Sequence, residues 1–156
     1  MSIYVLLASF FGTIAFSVLY NIPSKYYLPC GFVGLIGWIV FAFFKPILGY
    51  AFAIFLSSAV VAFLSRLLAV RIKCPELIFL IAGIFTLVPG ADIYWTVYYL
   101  VSGQLSKAAT SGSATANACL AMVLGIAIIH EIPQKLFNSL GGAKKKEVNH
   151  QQDKGL

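Results

Sequence analysis

The chain has 156 residues, 60% of them hydrophobic and 10% charged, with a net charge of +6. Soluble domains run nearer half apolar and a quarter charged, so this composition excludes a water-soluble globular protein and points to an integral membrane protein. The length suits one bundle of about five helices at ~20 residues per crossing and leaves no segment for a soluble catalytic domain. The basic residues sit in loops and in the tail, where membrane topology accounts for them and a nucleic-acid partner is not needed.

In chain order, Ser2 to Tyr20 reads as the first span, apolar with Ser9, Gly12, Ala15 and Ser17 interspersed. It lacks a basic n-region and a small-residue cleavage site, so it reads as a retained helix and not a signal peptide. Asn21-Ile22-Pro23 ends it, and Lys25 with Tyr26 and Tyr27 forms an interfacial anchor. The second span is 28–44, where Gly31, Gly34 and Gly37 recur every third residue before Trp38. In lipid such glycines let another backbone approach closely. Lys45-Pro46 reads as a short loop. The third span is 47–66, with a helix that can run on to Val70, and its end carries Arg66, Arg71 and Lys73.

The stretch Leu77 to Gly103 organises the chain. It is long enough to cross a bilayer, but Pro89-Gly90 interrupts it and Asp92 follows directly. Broken backbone at membrane depth is tolerated only where it is buried in protein or lines a wet cavity, and an acid there marks a functional site by default. Proline removes a donor and clashes with the preceding turn, leaving carbonyls near Phe85 and Thr86 short of partners, and Gly90 permits angles that other residues resist. A half-helix starting at Ala91 or Asp92 would present free amides to an anion. Three roles stand open for Asp92: capping that half-helix, coupling transport to protons or cations, or contacting an amine or hydroxyl of a substrate. Tyr94, Trp95, Tyr98 and Tyr99 follow as interfacial and packing aromatics.

Residues 102–113 are polar and rich in small side chains, and the last span is 110–132. Ser113, Asn117, Ala121 and Gly125, four apart, are expected to line one face, either for tight helix contact or as the wall of a polar pathway. The buried amide of Asn117 would need partners, from another helix or from substrate. From Pro133 the chain is expected to leave the membrane as a disordered basic tail, 133–156, near anionic headgroups.

If 77–101 crosses once, five spans put Lys25, the Arg66/Arg71/Lys73 cluster and the five lysines of the tail on one side, nine basic residues against Lys45 and Lys107. If Pro89-Gly90 instead turns the chain back, the split becomes five against six. The positive-inside rule favours the first, with the N-terminus outside and the C-terminus cytoplasmic.

Evidence for an enzyme is absent from the motifs. His130-Glu131 lacks a second histidine nearby, no nucleophile-elbow spacing occurs, and no glycine-rich phosphate loop is present. Cys30, Cys74 and Cys119 are far apart and form no metal-ligand spacing. No cofactor is expected.

Asn21-Ile22-Pro23, Gly34-Leu35-Ile36-Gly37-Trp38 and the run SRLLAVRIKCPELIFLIAGIFTLVPGADIYWTVYYLVSG from Ser65 to Gly103 resemble the small subunit of the threonine/serine exporter family. The resemblance covers residues 1–132 and is most specific in the arginine-rich helix end, Pro75, and Leu87-Val88-Pro89-Gly90 before a Tyr-containing half-helix. It places Asn21, Gly37, Pro89, Gly90 and Tyr94 on motif positions, whereas the family is not reliably acidic at Asp92. It implies a separate, larger membrane subunit with a cytoplasmic N-terminal region. It also implies export of threonine and serine or, in a two-component bacterial branch, of a dicarboxylate such as succinate.

The expectation is an all-α bundle over 1–132 in a bacterial inner membrane, a subunit of a secondary exporter for small carboxylates. Its substrate or coupling candidates are Pro89, Gly90, Asp92, Tyr94 and Asn117. Its structural positions are Asn21, Pro23, Gly34, Gly37, Trp38, Arg66 and Pro75. The rival reading is a non-transporting scaffold that stabilises a larger partner. Proton coupling, with Asp92 as its acid, is the first guess for the driving force.

Overall fold

A computed structural model describes residues 3–133 and 137. Six α-helices follow in order: α1 Ile3–Leu19, α2 Tyr27–Leu48, α3 Tyr50–Ile72, α4 Leu77–Phe85, α5 Gly90–Val101 and α6 Leu105–Glu131, with a 3-10 turn at Ser24–Tyr26 leading into α2. No strand occurs among the described residues. The turn with α2, then α3 and α6, are each long and apolar enough to cross a membrane. α4 and α5 are long and apolar enough only as a pair, bent by 52° at their break, which makes them a broken span or a re-entrant loop. α1 is equally apolar but shorter, at 17 residues.

The side chains are distributed as lipid requires. Large apolar residues such as Leu7, Phe11, Val18, Phe43, Phe52 and Leu124 face outward, while the buried residues of α1 are Ser9, Thr13 and Ser17. Lipid tails are as apolar as leucine, so helices there associate through close packing and hydrogen bonds. Thr13 Oγ1 donates to Ser9 O at 2.7 Å, Ser17 Oγ to Thr13 O at 2.9 Å, and Ser9 Oγ crosses to Gly34 O of α2 at 3.2 Å. Ser57 of α3 donates to Gly37 O. A Cβ at Gly34 would collide with Thr13 and one at Gly37 would lie 2.5 Å from Val61, so α2 meets α1 and α3 at its glycines. α4 packs on α2, α3 and α1, and α6 lies along α3. At Gly125 a Cβ would fall 2.5 Å from the backbone oxygen of Phe55.

Asn21 ends α1 in the left-handed region, φ 55°, and the Ile22 amide reaches back to Ser17 O at 3.0 Å. Asparagine tolerates that conformation better than other side-chain-bearing residues, and Pro23 then prevents continuation.

Three boundaries differ from the sequence reading. α2 continues through Lys45-Pro46 and stops at Gly49, whose φ of 83° makes the turn into α3. A proline in the last turn removes only one ladder bond, so the glycine decides where the chain reverses. α3 extends to Ile72. α6 begins at Leu105, after Gly103 with φ 72°, so most of the polar stretch is helical. Its hydroxyls are absorbed by the helix itself, as in Thr110 to Ser106 O at 3.0 Å and Thr115 to Ser111 O at 2.9 Å.

Arg66, expected in the basic cluster at a helix end, is buried within the bundle at 6% exposure. Its Nε pairs with Glu76 Oε2 at 3.3 Å and its Nη1 donates to Ile129 O and Ile132 O, the latter at 2.9 Å. His130 Nε2 meets the other Glu76 oxygen at 2.9 Å. One guanidinium therefore joins α3, the start of α4 and the open carbonyl end of α6, where a cation also complements the helix dipole. Pro75 sits at the turn that delivers Glu76. The expected tail lies outside the described residues except for Pro133 and Phe137. Phe137 is buried beneath the Arg66 guanidinium, 4.6 Å from its ring centroid.

Arg66→Ala would leave Glu76 with His130 as its partner and uncap α6, and should cost about 2–4 kcal/mol of stability, read as a lowered unfolding midpoint in detergent. Gly125→Leu should lower the midpoint by a comparable amount by overpacking the α3–α6 contact, whereas Asn21→Gly should leave it nearly unchanged.

Candidate functional site

The break between α4 and α5 is the segment Thr86–Pro89. Pro89 leaves the Phe85 carbonyl without its ladder donor, while the Thr86 hydroxyl donates to Gly83 O at 2.9 Å. Leu87 N bonds Ile84 O at 2.8 Å, tightening the end of α4. Leu87 and Pro89 are buried while Gly90 lies open. The expectation that Gly90 is needed for unusual backbone angles is not met: its φ lies outside the left-handed region and a Cβ there would meet nothing within 4 Å. Pro89, with ψ of 56°, sets the bend.

This broken segment forms one wall of a cavity of about 470 Å³, within the range of small-molecule sites. The opposite wall is Trp38, Phe41 and Lys45 from α2 with Tyr50 from the start of α3; Ala91 and Asp92 of α5 and Ala114 of α6 complete it. Non-helical backbone thus lines a cavity, as membrane depth requires.

The Asp92 carboxylate accepts a hydrogen bond from the Tyr50 hydroxyl at 2.6 Å. It makes no capping bond to the α5 amides, so of the three roles considered for it the cap is not the one adopted. Thr96 donates to Asp92 O at 2.7 Å, and the carboxylate itself is half-buried. Lys45 Nζ lies 5.5 Å from the Phe41 ring centroid and 5.6 Å from that of Tyr50. Among the described residues the contacts between basic and acidic side chains are Arg66–Glu76 and His130–Glu76, so Lys45 and Asp92 line one cavity without pairing with each other.

The structure therefore brings Pro89, Gly90 and Asp92 together with Trp38. It does not bring Tyr94 or Asn117 to them. Tyr94 is 61% exposed and stacks on Tyr98 along the outside of α5, none of whose residues is buried. Asn117 lines a separate shallow depression with Phe52, Phe55 and Leu124, and its amide has no side-chain hydrogen bond within the described residues. The expected common face of Ser113, Asn117, Ala121 and Gly125 does not hold along its length. Residues four apart advance about 40° per step on a 3.6-residue helix, so Gly125 packs on α3 while Ser113 and Asn117 are exposed.

Sequence reasoning missed Lys45 and Tyr50, which it treated as loop and span residues. Their signal was their position on the two arms of one helix reversal, but only the packing of α5 shows what they face.

A family model described as Threonine/Serine exporter, ThrE, matches residues 5–132. The chain belongs to the threonine/serine exporter family. The match takes in the break, the cavity and the Arg66 clamp. No curated protein and no solved structure matches the chain. Membership of an exporter family, with these apolar helices, makes the chain a multi-pass membrane protein of transporter type.

Because Gly90 faces open space, Gly90→Ala should leave the unfolding free energy within about 0.5 kcal/mol of the parent. Gly90→Trp should fold equally well while filling the cavity and reducing efflux at least severalfold in a cell-based assay.

Proposed function

We propose that the chain is the small membrane subunit of a two-component secondary exporter for small carboxylates, threonine and serine or a C4-dicarboxylate such as succinate. It would reside in a bacterial inner membrane beside a larger subunit of the same family. The observation that carries this reading is the broken fourth span opening onto a cavity that holds an acid and a base. A purely structural bundle has no use for a helix interrupted at that point, since an intact helix satisfies its backbone at no cost.

The substrate would occupy the space between the Thr86–Pro89 segment and α2. Movement of the α4–α5 elbow relative to α2 and α3 would expose it to one side and then the other, as in transporters built around discontinuous helices. No nucleotide-binding motif occurs in the sequence, so the driving force is assigned to an ion gradient. The charge asymmetry supports an orientation with Lys45 and Lys107 outside and the C-terminus in the cytoplasm. The 1–132 bundle is the transporting unit.

A scaffold reading is favoured by different features: the unburied α5 and the outward amide of Asn117, both suited to a second chain. The two readings part at the elbow. In cells lacking their own exporters, the chain is expressed alone and beside a larger family subunit, and efflux of labelled threonine, serine and succinate is followed. Efflux is expected only with the larger subunit. Pro89→Ala with Gly90→Ala should abolish it while the two chains still co-purify; undiminished efflux from that double variant would establish the scaffold reading. In a labelling assay, a cysteine replacing Lys107 should react with an impermeant reagent from outside and one replacing Lys146 should not.

A further inference from the structure

We propose that Lys45 is the carboxylate-binding residue of the cavity and that Asp92, held by Tyr50, receives an ammonium group, so that the cavity selects a zwitterionic amino acid over a dicarboxylate. This rests on the exporter reading above and names the ligand chemistry of that site.

Lys45 and Asp92 line the same cavity at the reversal between α2 and α3. Lys45 is exposed and Asp92 half-buried, and between charges so placed the attraction is modest and need not close into an ion pair. These two remain apart. The Tyr50 side chain stands between them: its ring lies below the Lys45 ammonium at 5.6 Å, and its hydroxyl holds one Asp92 oxygen at 2.6 Å. That bond fixes the carboxylate and leaves its second oxygen as an acceptor. Lys45 has ring faces as neighbours, from Phe41 and Tyr50, and no anionic partner among the described residues.

The gap is therefore bounded by one donor of positive charge and one acceptor of negative charge. An α-amino acid presents the complementary pair, carboxylate to Lys45 and ammonium to Asp92. A dicarboxylate would satisfy Lys45 but bring its second carboxylate toward Asp92, and like charges in a confined site reject the wrong ligand. Trp38, which lines the same cavity, reports occupancy.

The chain has two tryptophans, so Trp95→Phe, on the outside of α5, leaves Trp38 as the single emitter. In that background the full-length protein in lipid nanodiscs is titrated with L-threonine, threoninamide, 3-hydroxybutyrate and succinate, and Trp38 emission is recorded. L-threonine should bind most tightly. Lys45→Gln should weaken threonine about tenfold and leave threoninamide unchanged, with Lys45→Arg recovering most of the loss. Asp92→Asn should weaken threonine and threoninamide about tenfold and leave 3-hydroxybutyrate unchanged.

Threonine affinity unaffected by Lys45→Gln would reduce Lys45 to an interfacial anchor and overturn the proposal. So would tighter binding of succinate than of threonine, although the cavity would then still be the substrate site. An Asp92→Asn variant that keeps its affinities but loses the pH dependence of efflux would make Asp92 a coupling acid and overturn its assignment here. Saturable efflux with no ligand response at Trp38 would remove the cavity itself, and the site part of the exporter reading would fall with it.

Discussion

The bundle depends on how closely α2 and α3 can be approached. In water, burying leucines would hold these helices together; in lipid that drive is missing, and what remains is dispersion at short range and hydrogen bonds between helices. The sequence meets this with glycine and hydroxyl pairs: Gly34 against Thr13, Gly37 against Ser57 and Val61, Gly125 against Ser58 and Phe55. Each places a backbone where a side chain would otherwise stand. The serines and threonines bury their hydroxyls on carbonyls of their own or the adjacent helix, so the polar atoms lie inside and the large apolar side chains outside.

At one end, this tight frame is closed by a charge. Arg66 binds Glu76 and the last carbonyls of α6, so three elements meet on one guanidinium with Phe137 beneath it. At the other end no such clamp occurs among the described residues. There α4 gives out at Phe85, the chain bends by 52°, and α5 continues along α6 with none of its residues buried. The molecule is thus rigidly packed around α2 and α3 and lightly held at α5. The cavity lies at the junction of the two regimes. Its walls are an aromatic surface, Trp38 and Phe41, and the bent segment that carries Asp92. The side-chain bond between Asp92 and Tyr50 ties the elbow to the frame.

The central features are legible in the sequence. Pro89 must interrupt a helix, because it lacks a donor, and an apolar 156-residue chain must form a membrane bundle. Asn21-Ile22-Pro23 as a helix stop follows from the left-handed tolerance of asparagine and the restriction proline imposes. The family resemblance of the ordered motifs was legible too, and the match over residues 5–132 bears it out. The boundaries at Pro46 and in the 102–113 stretch were misread for one shared reason. Proline and small polar residues lower helix propensity locally, but a membrane helix satisfies its own backbone and hydroxyls and continues until a residue such as Gly49 or Gly103 can reverse it.

What the sequence by itself determined is local and compositional: the membrane class, the helix stops, the break in the fourth span and the family. These follow from covalent constraints and from the exclusion of charge and unpaired backbone by lipid. Only the tertiary structure decided which chemistry faces the break. Lys45 and Tyr50 are 42 or more residues from Asp92 and carry no motif, yet the reversal at Gly49 and the bend at Pro89 bring them into one cavity. The same packing sends Tyr94 and Asn117 outward and draws Arg66 inward. Whether a side chain meets a ligand, a lipid or another helix depends on the rotation and crossing of helices distant in sequence, and periodicity within a single helix does not encode it.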